Sequence, residues 1–229
     1  MSTKPPLPNL PIPASSEPLF TTINTFVHTY MSSPAHDSSH DYQHILRVVS
    51  NAHLILRAEQ SANPTLSYDT TALFLAAFLH DVGDHKYVQV GEDPANQVSQ
   101  LLLSHGVAFS LAERVQAVVR HVSYTHELRN PRSVADVLRR FPELGVVQDA
   151  DRLDAIGAVG VARCFAYAGA KRKGEPMAVA IDHFNDKLLK LPGLMKTGTG
   201  RRLAEKRMEV LVGFAKEFNE EARLSFDFR

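Results

Sequence analysis

Ten consecutive residues, Thr70–Leu79 (TTALFLAAFL), carry no charge, and the next two are His80 and Asp81. At helical spacing this segment has no polar face, so it has to form the buried centre of the fold, with other helices around it. Gly83 then supplies a stop signal. An ionisable pair at the end of such a helix is costly unless its polar groups are used. A divalent ion is the natural use, because imidazole and carboxylate together suit Mn, Fe, Zn, Ni, Co or Mg. The plainer alternative is a helix C-terminal His beside an Asp that caps the next turn.

The apolar spacing elsewhere is helical too. Phe20, Ile23, Phe26, Val27 and Tyr30 form one stripe; Ile45, Val48, Val49, Ala52 and Leu56 form a second, on a helix from about 41 to 59. Further helices are predicted over 94–104, 110–120 and 132–139, as one long Ala- and Gly-rich helix over 146–170, and over 177–190 and 200–219. The joint LPGLMKTGTG is too rich in Gly and Pro to be regular. No period-two run is long enough for a strand. The fold class is therefore all-α, a single helical domain over 19–229. Six of the 13 prolines lie in residues 1–18, which predicts an extended, disordered N-terminal segment.

Composition narrows the function classes. Lys+Arg and Asp+Glu are both 25, so bulk charge gives no reason to expect a nucleic-acid or anionic-membrane partner. The single cysteine, Cys164, excludes an intramolecular disulfide and a Cys-based zinc cluster. No apolar run approaches the ~18 residues of a membrane span, and the N-terminus lacks the apolar stretch of a secretory signal. A cytoplasmic or nuclear location is expected.

Histidine is the unusual count, at 11. In HDSSHDYQHILR (36–47), His36, His40 and His44 recur every four residues, and Arg47 lies on nearly the same helical face as His44. His40 and Asp41 read either as capping groups or as groups that orient a ligand imidazole. A third polar region, QDADRLD (148–154), sets Asp149, Asp151 and Asp154 in an apolar helix start, with Asp151 and Asp154 one turn apart and Asp149 pointing elsewhere. The plainer reading of this cluster is a match to the helix macrodipole.

The ordered blocks HDYQHILRV, AAFLHDVGD, QDADRLDAIGAVGVAR and HFNDKLLKLPGLMKT, followed by AEKR, resemble the HD-domain metal-dependent phosphohydrolases. The resemblance spans about residues 20–220 and is strongest to the small, single-domain bacterial and fungal HD hydrolases, some of which act on nucleotides. It implies a single HD-domain helical bundle that holds one divalent metal ion. The implied ligands are His44, which begins the HxxRV block, then His80 and Asp81, and Asp151, which precedes Arg-Leu; Asp149 competes for the fourth place.

A phosphate substrate needs cations that neutralise its oxygens. Arg47 and Lys187 are the first choices for catalysis and binding, with Lys86 third and Arg207 in the AEKR block also a candidate. Asp84 is the candidate proton acceptor or donor. His121 reads as a substrate contact, a cap or, in some relatives, a ligand to a second metal. Tyr124 either stacks on a base or packs. The expected substrate is a nucleotide or related small phosphate ester, cut at a terminal phosphomonoester or at the α–β link. The rival expectations are a silent nucleotide-binding module and a di-iron oxygenase. A zinc peptidase is disfavoured, because HExxH is absent. The C-terminal helices offer either a homodimer face or a lid.

Overall fold

A computed structural model of the chain describes residues 4–33, 37–83 and 96–225. Among these residues the secondary structure is helical throughout, with no strand. In chain order the α-helices are α1 (Glu17–Met31), α2 (Tyr42–Ala62), α3 (Thr70–Leu79), α4 (Gln97–Ser104), α5 (Phe109–Arg120), α6 (Tyr124–Arg129), α7 (Pro131–Arg140), α8 (Glu143–Asp154), α9 (Gly157–Lys171), α10 (Ala178–Asp186) and α11 (Gly198–Glu221). A 3-10 segment, Leu188–Leu194, joins α10 to α11.

The uncharged segment sits where its composition requires. Ala72 to Leu79 have no solvent exposure, and α3 is flanked by α1, α2, α5 and α8. Asp69 caps its start by accepting from Ala72 N at 2.9 Å. α2 starts the same way: the Asp41 carboxylate accepts from His44 N at 2.9 Å. Asp41 is thus a capping residue. α2 lies most extensively against α8. α2 and α8 carry His44 and Asp151 of the candidate site, and the C-terminal end of α3 leads into His80 and Asp81.

The helix pattern departs from expectation in three places. The long helix expected over 146–170 breaks after Asp154, and α8 and α9 meet at 70°. The break has a local cause: Gly157 has φ +74°, in the left-handed region. The six-residue α6 carries no buried residue, so no apolar stripe announced it. The joint 191–200 is partly regular: it closes the 3-10 segment, and Thr197 caps α11 by accepting from Gly200 N at 2.8 Å.

The N-terminal segment is extended, as its prolines dictate, but not disordered. Leu7, Leu10 and Ile12 pack against the core, and the buried Asn24 donates to Pro6 O at 3.1 Å. Asn24 in turn accepts from Tyr42 OH at 2.6 Å, which fastens the segment to α1 and α2. No single described helix is long and apolar enough to cross a membrane.

The bend at Gly157 sets α9 over the end of α8, and a Cβ there would lie 3.1 Å from Arg207 Cγ. Gly157→Ala combines a left-handed backbone penalty of about 1–2 kcal/mol with that crowding. The midpoint of urea unfolding should fall accordingly; an unchanged midpoint would contradict this account of the bend.

Candidate metal centre

His44 comes from the first turn of α2, His80 caps the C-terminus of α3, Asp81 follows it, and Asp151 lies on the last turn of α8. Their polar atoms converge. His44 Nε2 lies 3.2 Å from His80 Nε2, 3.3 Å from Asp81 Oδ2 and 3.6 Å from Asp151 Oδ1. His80 Nε2 lies 3.5 Å from Asp81 Oδ1 and 3.8 Å from Asp151 Oδ1.

The hydrogen bonds on the far side of each ring decide what this cluster can hold. His80 Nδ1 lies 2.9 Å from Ala77 O, which can only accept, so Nδ1 donates and the Nε2 lone pair faces the cluster. His44 Nδ1 lies 2.8 Å from Asp154 Oδ2, which fixes the same tautomer. With both rings neutral, two lone pairs therefore face each other in a buried site beside two carboxylates. Asp81 Oδ2 is buried and makes no well-formed hydrogen bond. Acceptors without donors need a cation. A proton can bridge only two of them, whereas one divalent ion can meet all four. Donor atoms at about 2.1 Å from an ion and at right angles are about 3 Å apart, close to the spacing seen. His44, His80 and Asp81 together have the geometry of a possible metal site.

Without a metal ion, protons on the imidazoles take its place. Burial and the Arg163 charge pull the His44 pKa down, but the hydrogen bonds to Asp154 and Asp81 outweigh them and the net displacement is upward. Burial alone would raise the Asp81 pKa; the His80, His44 and His40 charges instead hold it well below the usual carboxylate range.

Asp154 was not among the candidate site residues. Its buried carboxylate accepts from His44 Nδ1, from Arg47 Nε at 2.7 Å and Nη2 at 3.1 Å, and from Arg163 Nη1 at 3.0 Å. Burial opposes its ionisation, and these partners hold its pKa far below the ordinary value. The available signal was its spacing, one turn after Asp151, which puts both on the face turned to α2. Arg163, the one charge in the Ala- and Gly-rich α9 before its terminal Lys171, gave a second signal.

The cluster opens into a cavity of about 680 Å³. Among the described residues six cations line it: Arg120, Arg129, Arg152, Arg163, Arg172 and Lys187. Tyr124 lines it too, with Lys187 Nζ 5.4 Å from the centre of its ring. His40 also lines the cavity, with Nδ1 2.8 Å from Ser39 Oγ, and does not cap α2. Cys164 is half-buried on the wall, and burial pushes its thiol up to about 11, so it stays protonated and unreactive at neutral pH.

Several candidates lie elsewhere. Asp149 accepts from Lys196 N, Thr197 N and Thr197 Oγ1, each at 2.8 Å, and so pins α11 to α8; Asp151 is the residue that faces the imidazoles. Arg47 stands behind Asp154, which its Nε–Nη2 edge grips in a two-pronged contact, and it does not line the cavity. His121 is likewise outside the lining, with Nδ1 on Ala117 O at 2.7 Å and Nε2 on Ser133 Oγ at 2.8 Å. Arg207 donates to Leu153 O and to Asn51 Oδ1 at 3.1 Å, tying α11 to α8 and α2. Asp84 and Lys86 lie outside the described residues.

Comparisons with known proteins place these features in context. The HD domain family model matches residues 41–156. The uncharacterized protein YpgQ of Bacillus subtilis is 34% identical over 203 residues, covering 87% of this chain and 91% of that one. The crystal structure of YpgQ in complex with ADP aligns with a TM-score of 0.66 at 34% identity, covering 86% of this chain and 96% of that one. A Lactobacillus plantarum protein gives a TM-score of 0.70 at 28% identity, over 90% and 97% of the two chains. An HD-superfamily hydrolase of Bacillus thuringiensis gives 0.63 at 30% identity, over 92% and 100%.

Two aspartates separate metal binding from stability. Asp154→Asn leaves His44 without its charged partner and should weaken Mn²⁺ binding about 10- to 100-fold by titration calorimetry. Asp149→Asn should lower the melting temperature and leave Mn²⁺ affinity unchanged. The reverse pattern would mean that the two roles are misassigned.

Proposed function

The chain belongs to the HD-domain family, and from that premise we propose that it is a metal-dependent phosphohydrolase acting on a nucleotide or related small phosphate ester. The observation that carries this reading is the convergence of two imidazole lone pairs and two carboxylates at one end of a cavity lined, among the described residues, by six cations. A site of that kind suits a substrate with one strongly anionic end. The ADP complex of YpgQ supports a nucleoside phosphate as the ligand class for this chain.

His44, His80, Asp81 and Asp151 are the residues that would hold the ion. When bound, a divalent ion lowers the pKa of a coordinated water and offsets phosphate charge. The chain's own residues supply the remainder of the proposed chemistry. His44 and His80 are locked by Asp154 and Ala77 O, so nothing has to reorient as the substrate arrives. Lys187 faces the substrate from the end of α10 and meets the non-attacked phosphate oxygens. Tyr124 offers its ring face to a base or sugar. Asp84, three residues beyond Asp81 in the chain, takes or returns the proton as water attacks phosphorus in line. No covalent enzyme intermediate is required. The bond cut is the terminal phosphomonoester or the α–β link, which releases pyrophosphate from a triphosphate.

The assay is direct. Purified protein with Mn²⁺, Ni²⁺, Co²⁺ or Mg²⁺ is offered a nucleotide panel, and phosphate and pyrophosphate are measured beside the Asp81→Ala variant. Metal-dependent release, lowered at least about 10³-fold in the variant, is expected. Lys187→Ala should lower kcat/KM about 10- to 100-fold. Equal release by wild type and Asp81→Ala, or none from any nucleotide with any of the four metals, would overturn the hydrolase reading.

A further inference from the structure

We propose that Arg163 is a substrate-binding residue: its Nε and Nη1 are fixed by Ser39 and Asp154, and its Nη2 receives a substrate phosphate beside the metal ligands. The inference rests on the phosphohydrolase reading and names the cation that meets the phosphate at the metal end of the cavity.

Arg163 differs from the other cations there. Arg152 is sealed in protein and engaged by Glu127 and by Leu194 O at 2.7 Å. Arg120, Arg129 and Arg172 are exposed, and Lys187 lies over Tyr124. Arg163 lines the cavity with its side chain 13% exposed. Its Nε donates to Ser39 O at 2.7 Å, and its Nη1 donates to Asp154 Oδ2 at 3.0 Å and Asp154 O at 3.3 Å. Its Nη2 has no hydrogen-bond partner among the described residues, and it is not among the side-chain atoms sealed from solvent. The guanidinium is thus immobilised through Nε and Nη1 with the two N–H donors of Nη2 left over, a form in which arginine binds phosphate with little ordering cost.

Charge balance points the same way. Arg47 already gives Asp154 two hydrogen bonds, so a second guanidinium is not needed to neutralise that carboxylate. With Arg163 present, one carboxylate holds both a metal ligand, through His44 Nδ1, and a cavity cation, through Arg163 Nη1. A phosphate in contact with both the ion and Arg163 would then be positioned by a single rigid unit.

Titration calorimetry on the full chain tests this, with Mn²⁺ alone and then ADP in the presence of Mn²⁺, for wild type, Arg163→Met and Arg163→Lys. ADP affinity should fall about 10- to 100-fold in Arg163→Met, as loss of hydrogen bonding to a charged group implies, and less in Arg163→Lys. Mn²⁺ affinity should be unchanged in both. Unaltered ADP binding in Arg163→Met overturns the proposal. So does a parallel loss of Mn²⁺ and ADP, because Arg163 would then act only by supporting Asp154. Should Arg163→Met fail to fold, Arg163→Lys, which keeps the charge, decides on the same criteria. A wild type that binds ADP through Arg163 but hydrolyses nothing retains this inference and discards the hydrolase reading; a wild type that binds no ADP discards this inference, and the release assay alone then decides the hydrolase reading.

Discussion

Two imidazole nitrogens with their lone pairs turned toward each other, 3.2 Å apart and out of water, repel unless a cation lies between them. The fold must hold that arrangement in place, and its main features serve that end. His80 is held by the rigidity of α3, whose last eight residues have no freedom to move within a packed core. His44 is held from behind by Asp154. The Asp154 carboxylate, in turn, tolerates burial only because two arginines and an imidazole donate to it. A divalent ion held by the cluster would relieve that repulsion; without Asp154 the His44 ring would lose its tautomer and its aim.

The same logic explains why α8 ends where it does. A helix continuing through Asp154 would carry residue 163 along the α8 axis, away from the first turn of α2. The 70° bend at Gly157 instead folds α9 back, so that Arg163 reaches both Asp154 and the Ser39 carbonyl. Other polar groups of α8 are used for assembly. Asp149 fastens α11, while Arg152 and Gln148 bind Glu127 and so hold α6, which has no buried residue of its own, against the cavity. Binding surface and scaffold alternate along one helix, Asp151 on one face and Asp149 on another.

Much of this was legible in the sequence. The run 70–79 has no polar face, so its burial followed from composition, and the HD-domain blocks marked His44, His80, Asp81 and Asp151. What escaped were features set by three-dimensional neighbours. Arg47 has the helical phase of a ligand-side residue, but Asp154, 107 positions away, captures it. His121 lies in a polar turn that resembles a binding loop, yet Ala117 O and Ser133 take both its nitrogens. The α8–α9 break was hidden because Gly157 sits among alanines and valines that continue helical periodicity. The N-terminal prolines correctly indicated extended chain, but the leucines between them, packed against the bundle, give it order.

Anomalous scattering from crystals grown with Mn²⁺ tests the central claim most directly. A single peak bonded to His44 Nε2, His80 Nε2 and one carboxylate oxygen each of Asp81 and Asp151 is the predicted result. No peak at the cluster, or a peak bound through Asp149 with the two imidazoles turned apart, would contradict it.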